Sequence, residues 1–170
     1  CGCISAYLRW KYRNGSNYRH YITTGANTTA GTITGNWTLS AGSRMQATYA
    51  DLGERHHSDA IYPIGTVMRV GGVNEITQVS IGDSSRDVLG VTSDTAAYIM
   101  NSAAGTDDTH PVIALVGRVK VRVIGEIHKG DRLRVAGNGT AKATTDFDSF
   151  GWALEDSTDQ GEKLVLAVIK

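Results

Sequence analysis

The chain of 170 residues carries 17 basic and 17 acidic side chains, so no net field draws it to nucleic acid or to an anionic membrane. No stretch approaches the roughly 18 successive apolar residues of a membrane-spanning helix, so helical insertion into a bilayer is not expected. Glycine is abundant at 20 residues and proline scarce at 2, a balance that favours tight turns over rigid linkers.

The chain opens on Cys1 with nothing resembling a signal peptide, and reads as a fragment or a processed product. Cys1 and Cys3 supply two thiols where a structural zinc needs about four ligands. A metal clip or an interchain link is the functional alternative to two incidental thiols. The incidental reading is the expectation, with no metal and no cofactor.

Residues 4–22 place aromatic and β-favouring side chains on either side of Asn14-Gly15, which predicts a β-hairpin. Tyr7, Trp10, Tyr12, Tyr18 and Tyr21 would form either an exposed aromatic surface for a host glycan or cross-strand and subunit contacts. Residues 23–40 are small and polar, with Ile33, Trp37 and Leu39 as isolated apolar points. One copy cannot bury enough surface there to offset backbone ordering at about 1–2 kcal/mol per residue. Copies packed around a shared axis could do so, with Ile33, Trp37 and Leu39 stacked along it. Four Asn-x-Ser/Thr patterns, at Asn14, Asn27, Asn36 and Asn138, read as turn chemistry.

Residues 44–62 form a junction where Ala, Leu, Glu and Arg predict at most one helical turn, weakened by Gly53. From Pro63 the period changes. Gly65–Val70 and Glu75–Ser80 read as strands joined at Gly71-Gly72, and Val88–Ser93 as another. Ala96–Met100 predicts a helical turn, residues 103–110 a loop, and Pro111 opens a strand pair. In residues 117–124, Val119, Val121 and Val123 share one face, and Arg118, Lys120 and Arg122 share the other. That basic row would be a solvated face, a partner for acids such as Asp83, Asp87 or Glu126, or an anionic-glycan surface. Turns at Gly130-Asp131 and Asn138-Gly139, a short strand at 150–154 and a fully buried closing strand at 164–169 complete about eight strands after residue 60.

Among chemistry-bearing residues, Asp51 and Glu54 are the candidate acid/base pair. Three-residue spacing brings them together on a helical turn but separates them on a strand. An ion pair or cap with Arg44 or Arg55 is the structural alternative. His56 and His57 are adjacent and cannot share one metal within a chain, although a threefold axis would gather three copies of either. His110 and His128 have no evident partner. Neither Gly71-Gly72 nor Gly130-Asp131 precedes a helix or a Gly-Lys-Ser/Thr, so neither is a phosphate loop. No Gly-x-Ser-x-Gly motif is present.

The order and spacing of Tyr49–Glu54, Tyr62–Val67, Gly71-Gly72, Val88–Val91, Ala97–Asn101, Val116–Val121, Gly130–Leu133 and Ala153–Asp156 resemble the C-terminal domain of tailed-bacteriophage fibre and appendage proteins. The resemblance covers residues 44–170 and is similar to the peptidase G2 group, self-cleaving chaperone domains of phage neck appendages. It implies a homotrimer whose C-terminal domain sets the register of three chains. In some members cleavage follows at an Asn-Ser bond assisted by carboxylates, and Asp51 and Glu54 occupy the matching acidic stretch. This sequence departs from the pattern: Asn101-Ser102 is its Asn-Ser bond, and it lies inside the domain, where cleavage would split the fold.

The expectation is therefore an all-β chain. Residues 1–43 would be a fibrous, intertwined shaft segment, and residues 44–170 a compact β-barrel or sandwich. The chain would be the distal part of a homotrimeric phage tail fibre or appendage, facing outward, whose C-terminal β-domain nucleates trimer assembly, and it would contact other virion tail proteins. It would not be an enzyme, although a glycan-binding tip and self-cleavage are the alternatives.

Overall fold

The structure is a computed structural model that describes residue 36 and residues 38–170. The chain divides between Arg44 and Met45 into two units, and the second, Met45–Lys170, is described by itself. The hairpin and most of the shaft expected before it lie outside the described residues. So do Tyr7, Trp10, Tyr12, Ile33 and Trp37.

The described residues form ten strands and no α-helix: β1 (Asp51–Arg55), β2 (Val67–Val70), β3 (Ile76–Gln78), β4 (Val88–Thr92), β5 (Ala96–Met100), β6 (Val112–Val123), β7 (Arg132–Gly137), β8 (Thr140–Thr144), β9 (Gly151–Ala153) and β10 (Lys163–Ile169). One 3-10 turn, Ser85–Asp87, precedes β4. The longest strand organises the rest. β6 pairs antiparallel with β10 from Gly117 to Val123, β10 with β9, β9 with β7, β7 with β8, and β8 returns parallel to β6 at Ala141↔Val123. These five strands close a β-barrel. Closure leaves them no unpaired edge.

The other half of β6 serves a different set of strands. Val112 to Gly117 pairs with β1, and Ile113 and Ala114 pair with β4, which leads to β2 and β3. The change of partner falls at Gly117. Its φ of 117° is a conformation that residues with a Cβ rarely adopt, and a Cβ there would meet the Ala50 carbonyl oxygen and the Asp51 Cα. The expected strand pair after Pro111 is thus one continuous strand of 12 residues, bent at a glycine.

The barrel interior is lined by Val119, Val121 and Val123 of β6, Leu133 of β7, and Val165 and Ala167 of β10, all essentially inaccessible. Arg118 and Lys120 point outward and are exposed, with Arg122 half-buried, so the two-sided reading of this strand holds. A smaller apolar cluster of Met68, Ile76 and Ile113 sits under β2–β4. The turn joining β7 to β8 has positive φ at both Asn138 (50°) and Gly139 (70°), the geometry of a tight two-residue hairpin turn.

Three local expectations are corrected. Residues 51–55 are a strand rather than a helical turn, because both edges of the segment find sheet partners, β5 on one side and β6 on the other. Gly53, unfavourable in a helix, fits here because a Cβ would press on Val112 and Ala96. Ala96–Met100 is also extended, held parallel to β1; pairing outweighs the helical preference of its alanines. The apolar run 164–169 is buried on one face only, with Leu164 45% exposed, because β10 is a barrel wall and not a central strand. The strands after residue 60 number nine, β2 to β10.

This one-sidedness predicts a contrast between two leucines. Leu133→Ala, inside the barrel, should lower stability by about 2–5 kcal/mol. Leu164→Ala should cost less than about 1 kcal/mol. Urea unfolding of the two variants measures both.

Candidate functional site at the β1 junction

β1 brings the sequence-predicted acidic residues into the fold and sends them to opposite sides. Asp51 is 2% exposed. Its Oδ2 accepts a hydrogen bond from Ser93 Oγ at 2.6 Å, and its Oδ1 accepts one from Thr95 Oγ1 at 3.3 Å. Ser93 Oγ accepts in turn from the Thr95 backbone N–H at 3.0 Å. The carboxylate therefore ties β1 to the turn between β4 and β5. No cation faces it at ion-pair distance among the described residues. Buried carboxylates are costly unless their oxygens are satisfied, and hydroxyl donors fill that role here.

Glu54 lies three residues on, with its Oε2 3.6 Å from His56 Nε2. His56 Nδ1 is 3.7 Å from Glu75 Oε2, so one imidazole sits between two carboxylates. Glu75 also accepts the His57 backbone N–H at 2.9 Å. That bond holds the Glu75 carboxyl below its ordinary value, and the neighbouring His56, His110 and His57 act in the same direction. The His57 ring stacks on His110 with centroids 4.6 Å apart and planes 9° from parallel. Arg55 Nη1 donates to Asp107 Oδ1 at 2.7 Å and to the His110 carbonyl at 2.6 Å. Asn101 Nδ2 donates to the Arg55 carbonyl at 3.0 Å, and the Ser58 N–H to the Thr109 carbonyl at 3.0 Å. The loop from Asn101 to His110 is thereby fastened along the end of β1.

Asp51 and Glu54 are thus not brought together as an acid/base pair. Arg55 has its partner in the distant Asp107, and Arg44 is exposed. His110, without an evident partner in the sequence, is the stacking partner of His57 and a bond acceptor for Arg55. Leu39 is 49% exposed in irregular chain. In the basic row, Arg122 pairs with Glu162, its Nε 2.8 Å from Oε1, while Asp83 pairs with Arg69 and Glu126 faces His128. Among the described residues no group of three or more His, Cys, Asp or Glu side chains could hold a metal ion. An open depression of about 490 Å³ between β7 and β8 is lined by residues of mixed charge, including Arg134, Lys142 and Asp146. These contacts around β1 hold strands and a loop together.

Neither a protein-family model nor a curated protein matches the sequence. Solved structures do resemble the fold. The pre-mature bacteriophage phi29 gene product 12 superposes with a TM-score of 0.59 at 15% identity over 79% of this chain. The chain spans about a quarter, 24%, of that protein's length. The C-terminal fragment of phi29 gene product 12 matches with a TM-score of 0.53 at 16% identity, over 71% of this chain and 100% of the fragment. The N base of the phi29 head fibre gp8.5 superposes more loosely, with a TM-score of 0.43 at 18% identity over 70% of this chain and 93% of that one. The class defined by this architecture is an all-β barrel protein. Its fold is similar to the C-terminal part of a bacteriophage gene product.

The Glu75 contacts predict a pH dependence of definite sign. A carboxyl held below its ordinary value of 4.5 only in the folded state adds stability above that value and loses it as pH falls through the folded one. Wild type should therefore exceed Glu75→Gln in urea midpoint at pH 6, with the difference shrinking as pH falls below 4.5. A difference that does not vary with pH would contradict the assigned contacts.

Proposed function

We propose that this chain is a structural part of a phage virion: a segment of a tail fibre or appendage whose barrel unit associates with copies of itself and sets their register. One observation carries the reading. The fold matches the whole length of the phi29 gene product 12 C-terminal fragment, a share of this chain comparable to the unit Met45–Lys170. The sequence resemblance to fibre and appendage domains, including the peptidase G2 group, points the same way from different data.

In this reading the mechanism is assembly. The barrel buries its own valine and leucine core and so folds within one chain. Three barrels then associate, and their association aligns the three polar segments of residues 1–43, with Ile33, Trp37 and Leu39 stacked on the axis. Loop-closure entropy for the thin segments is met once, by the barrels. Neighbouring tail proteins would hold the other end. The function is structural rather than enzymatic. Support comes from the buried, hydroxyl-bonded state of Asp51 and the separate environment of Glu54.

Sedimentation equilibrium of the full chain tests this directly. The expected species has three times the chain mass of 18.2 kDa. A monomer at micromolar concentration would overturn the proposal.

A further inference from the structure

Among the described strands β5 alone leaves a long sheet edge open. The barrel strands close on one another, β1, β2 and β4 are paired on both sides, and β3 is flanked by β2 and by a bridge from Ser58 to Ile76. β5 pairs with β1 on one side, and its other side has no partner among the described residues. Natural edge strands are commonly protected by charge, proline or a bulge that turns them away. β5 reads Ala-Ala-Tyr-Ile-Met, with no charge and no proline, and its middle three residues are exposed. Tyr98 is 57% exposed and stands in register with Leu52, which is in register with the 43%-exposed Val116. An apolar row thus crosses three strands and stops at the open edge.

The unit also contains a segment with the opposite lack. Residues 45–50 read Met-Gln-Ala-Thr-Tyr-Ala, and from Met45 to Tyr49 apolar and polar side chains alternate in the period of a strand. All six are exposed, Met45 at 79% and Tyr49 at 58%. Residues 45–49 make no hydrogen bond to any described residue, and the segment carries no charge. It cannot serve its own β5. It runs without a loop from Ala50 into β1, and the open edge of β5 lies two strand spacings, about 10 Å, to one side. A second copy has no such constraint.

We propose that residues 45–49 of one copy add as a strand to the open edge of β5 in the next. Ala47 would then continue the row of Val116, Leu52 and Tyr98, with Met45 and Tyr49 on the same face to either side of it. The contact is head-to-tail, so each copy gives one strand and receives one, and a rotation that closes makes a ring. Main-chain hydrogen bonds supply the attachment and the alternate side chains supply the register. This deepens the assembly reading and rests on it.

The test uses the full chain with Cys1→Ser and Cys3→Ser, adding Ala47→Cys and Tyr98→Cys, the central positions of the two strands. Oxidation should give a covalent three-chain species on a non-reducing gel that reverts with reductant. A Tyr98→Cys chain without the second cysteine should give no covalent dimer. In parallel, Ala47→Pro in the otherwise unaltered chain should leave the urea midpoint of the barrel unchanged at concentrations where the chain is monomeric, and weaken association at least tenfold. Three-chain mass by sedimentation without the cross-link, a covalent dimer from Tyr98→Cys alone, or unchanged association of Ala47→Pro would each overturn strand addition while leaving the assembly reading standing. A monomeric wild type would remove both.

Discussion

The bend of β6 at Gly117 is the constraint on which the rest of the unit depends. Before it, the strand belongs to β1 and β4; after it, to β10 and β8. One strand thereby joins a closed barrel to an open sheet. A side chain at this position would be driven into the Ala50 carbonyl and the Asp51 backbone, at the point where β1 docks. The close approach is also what carries Asp51 inward to the hydroxyls of Ser93 and Thr95. The barrel wall, the seating of β1 and the burial of its carboxylate meet at this one backbone position.

The two halves have different exposures to association. A closed barrel presents no strand edge, so its outer wall meets solvent through side chains such as Arg118 and Lys120. The sheet built on the first half of β6 ends at β5, which is uncharged and whose outer edge has no partner among the described residues. Fastening the loop Asn101–His110 to β1 through Arg55, Asn101 and the His57–His110 stack fixes the end of that open strand. An edge held rigid loses less entropy when another strand joins it. In the proposed assembly, a unit that folds within one chain would gather others through this edge.

Much of the barrel was legible in the sequence because its signals are local. Alternation at Val119, Val121 and Val123, the turn pair Asn138-Gly139 and the change from a thin polar segment to dense valine strands each depend on neighbours in sequence. The errors came where pairing at long range decided the outcome. Ala96–Met100 and residues 51–55 have weak local preferences and became extended only because β1 and β5 lie beside each other across more than forty residues. The run 164–169 was apolar throughout, and only closure of the barrel determines that one side of it faces outward. At the β1 junction the sequence flagged Asp51, Glu54 and the histidine pair but could not assign their partners. Ser93, Thr95, Glu75, Asp107 and His110 arrive from loops whose positions follow from the fold, and no spacing in the chain announces them.

The core of the β6-centred unit and its hydrogen-bonded junction are complete within residues 45–170. The direct measurement is urea unfolding of a chain limited to those residues, followed by circular dichroism and by tryptophan fluorescence of Trp152. The expected result is sheet-rich dichroism and one cooperative transition at the same midpoint by both probes. A fragment without ordered sheet, or one whose two probes report separate transitions, would contradict it.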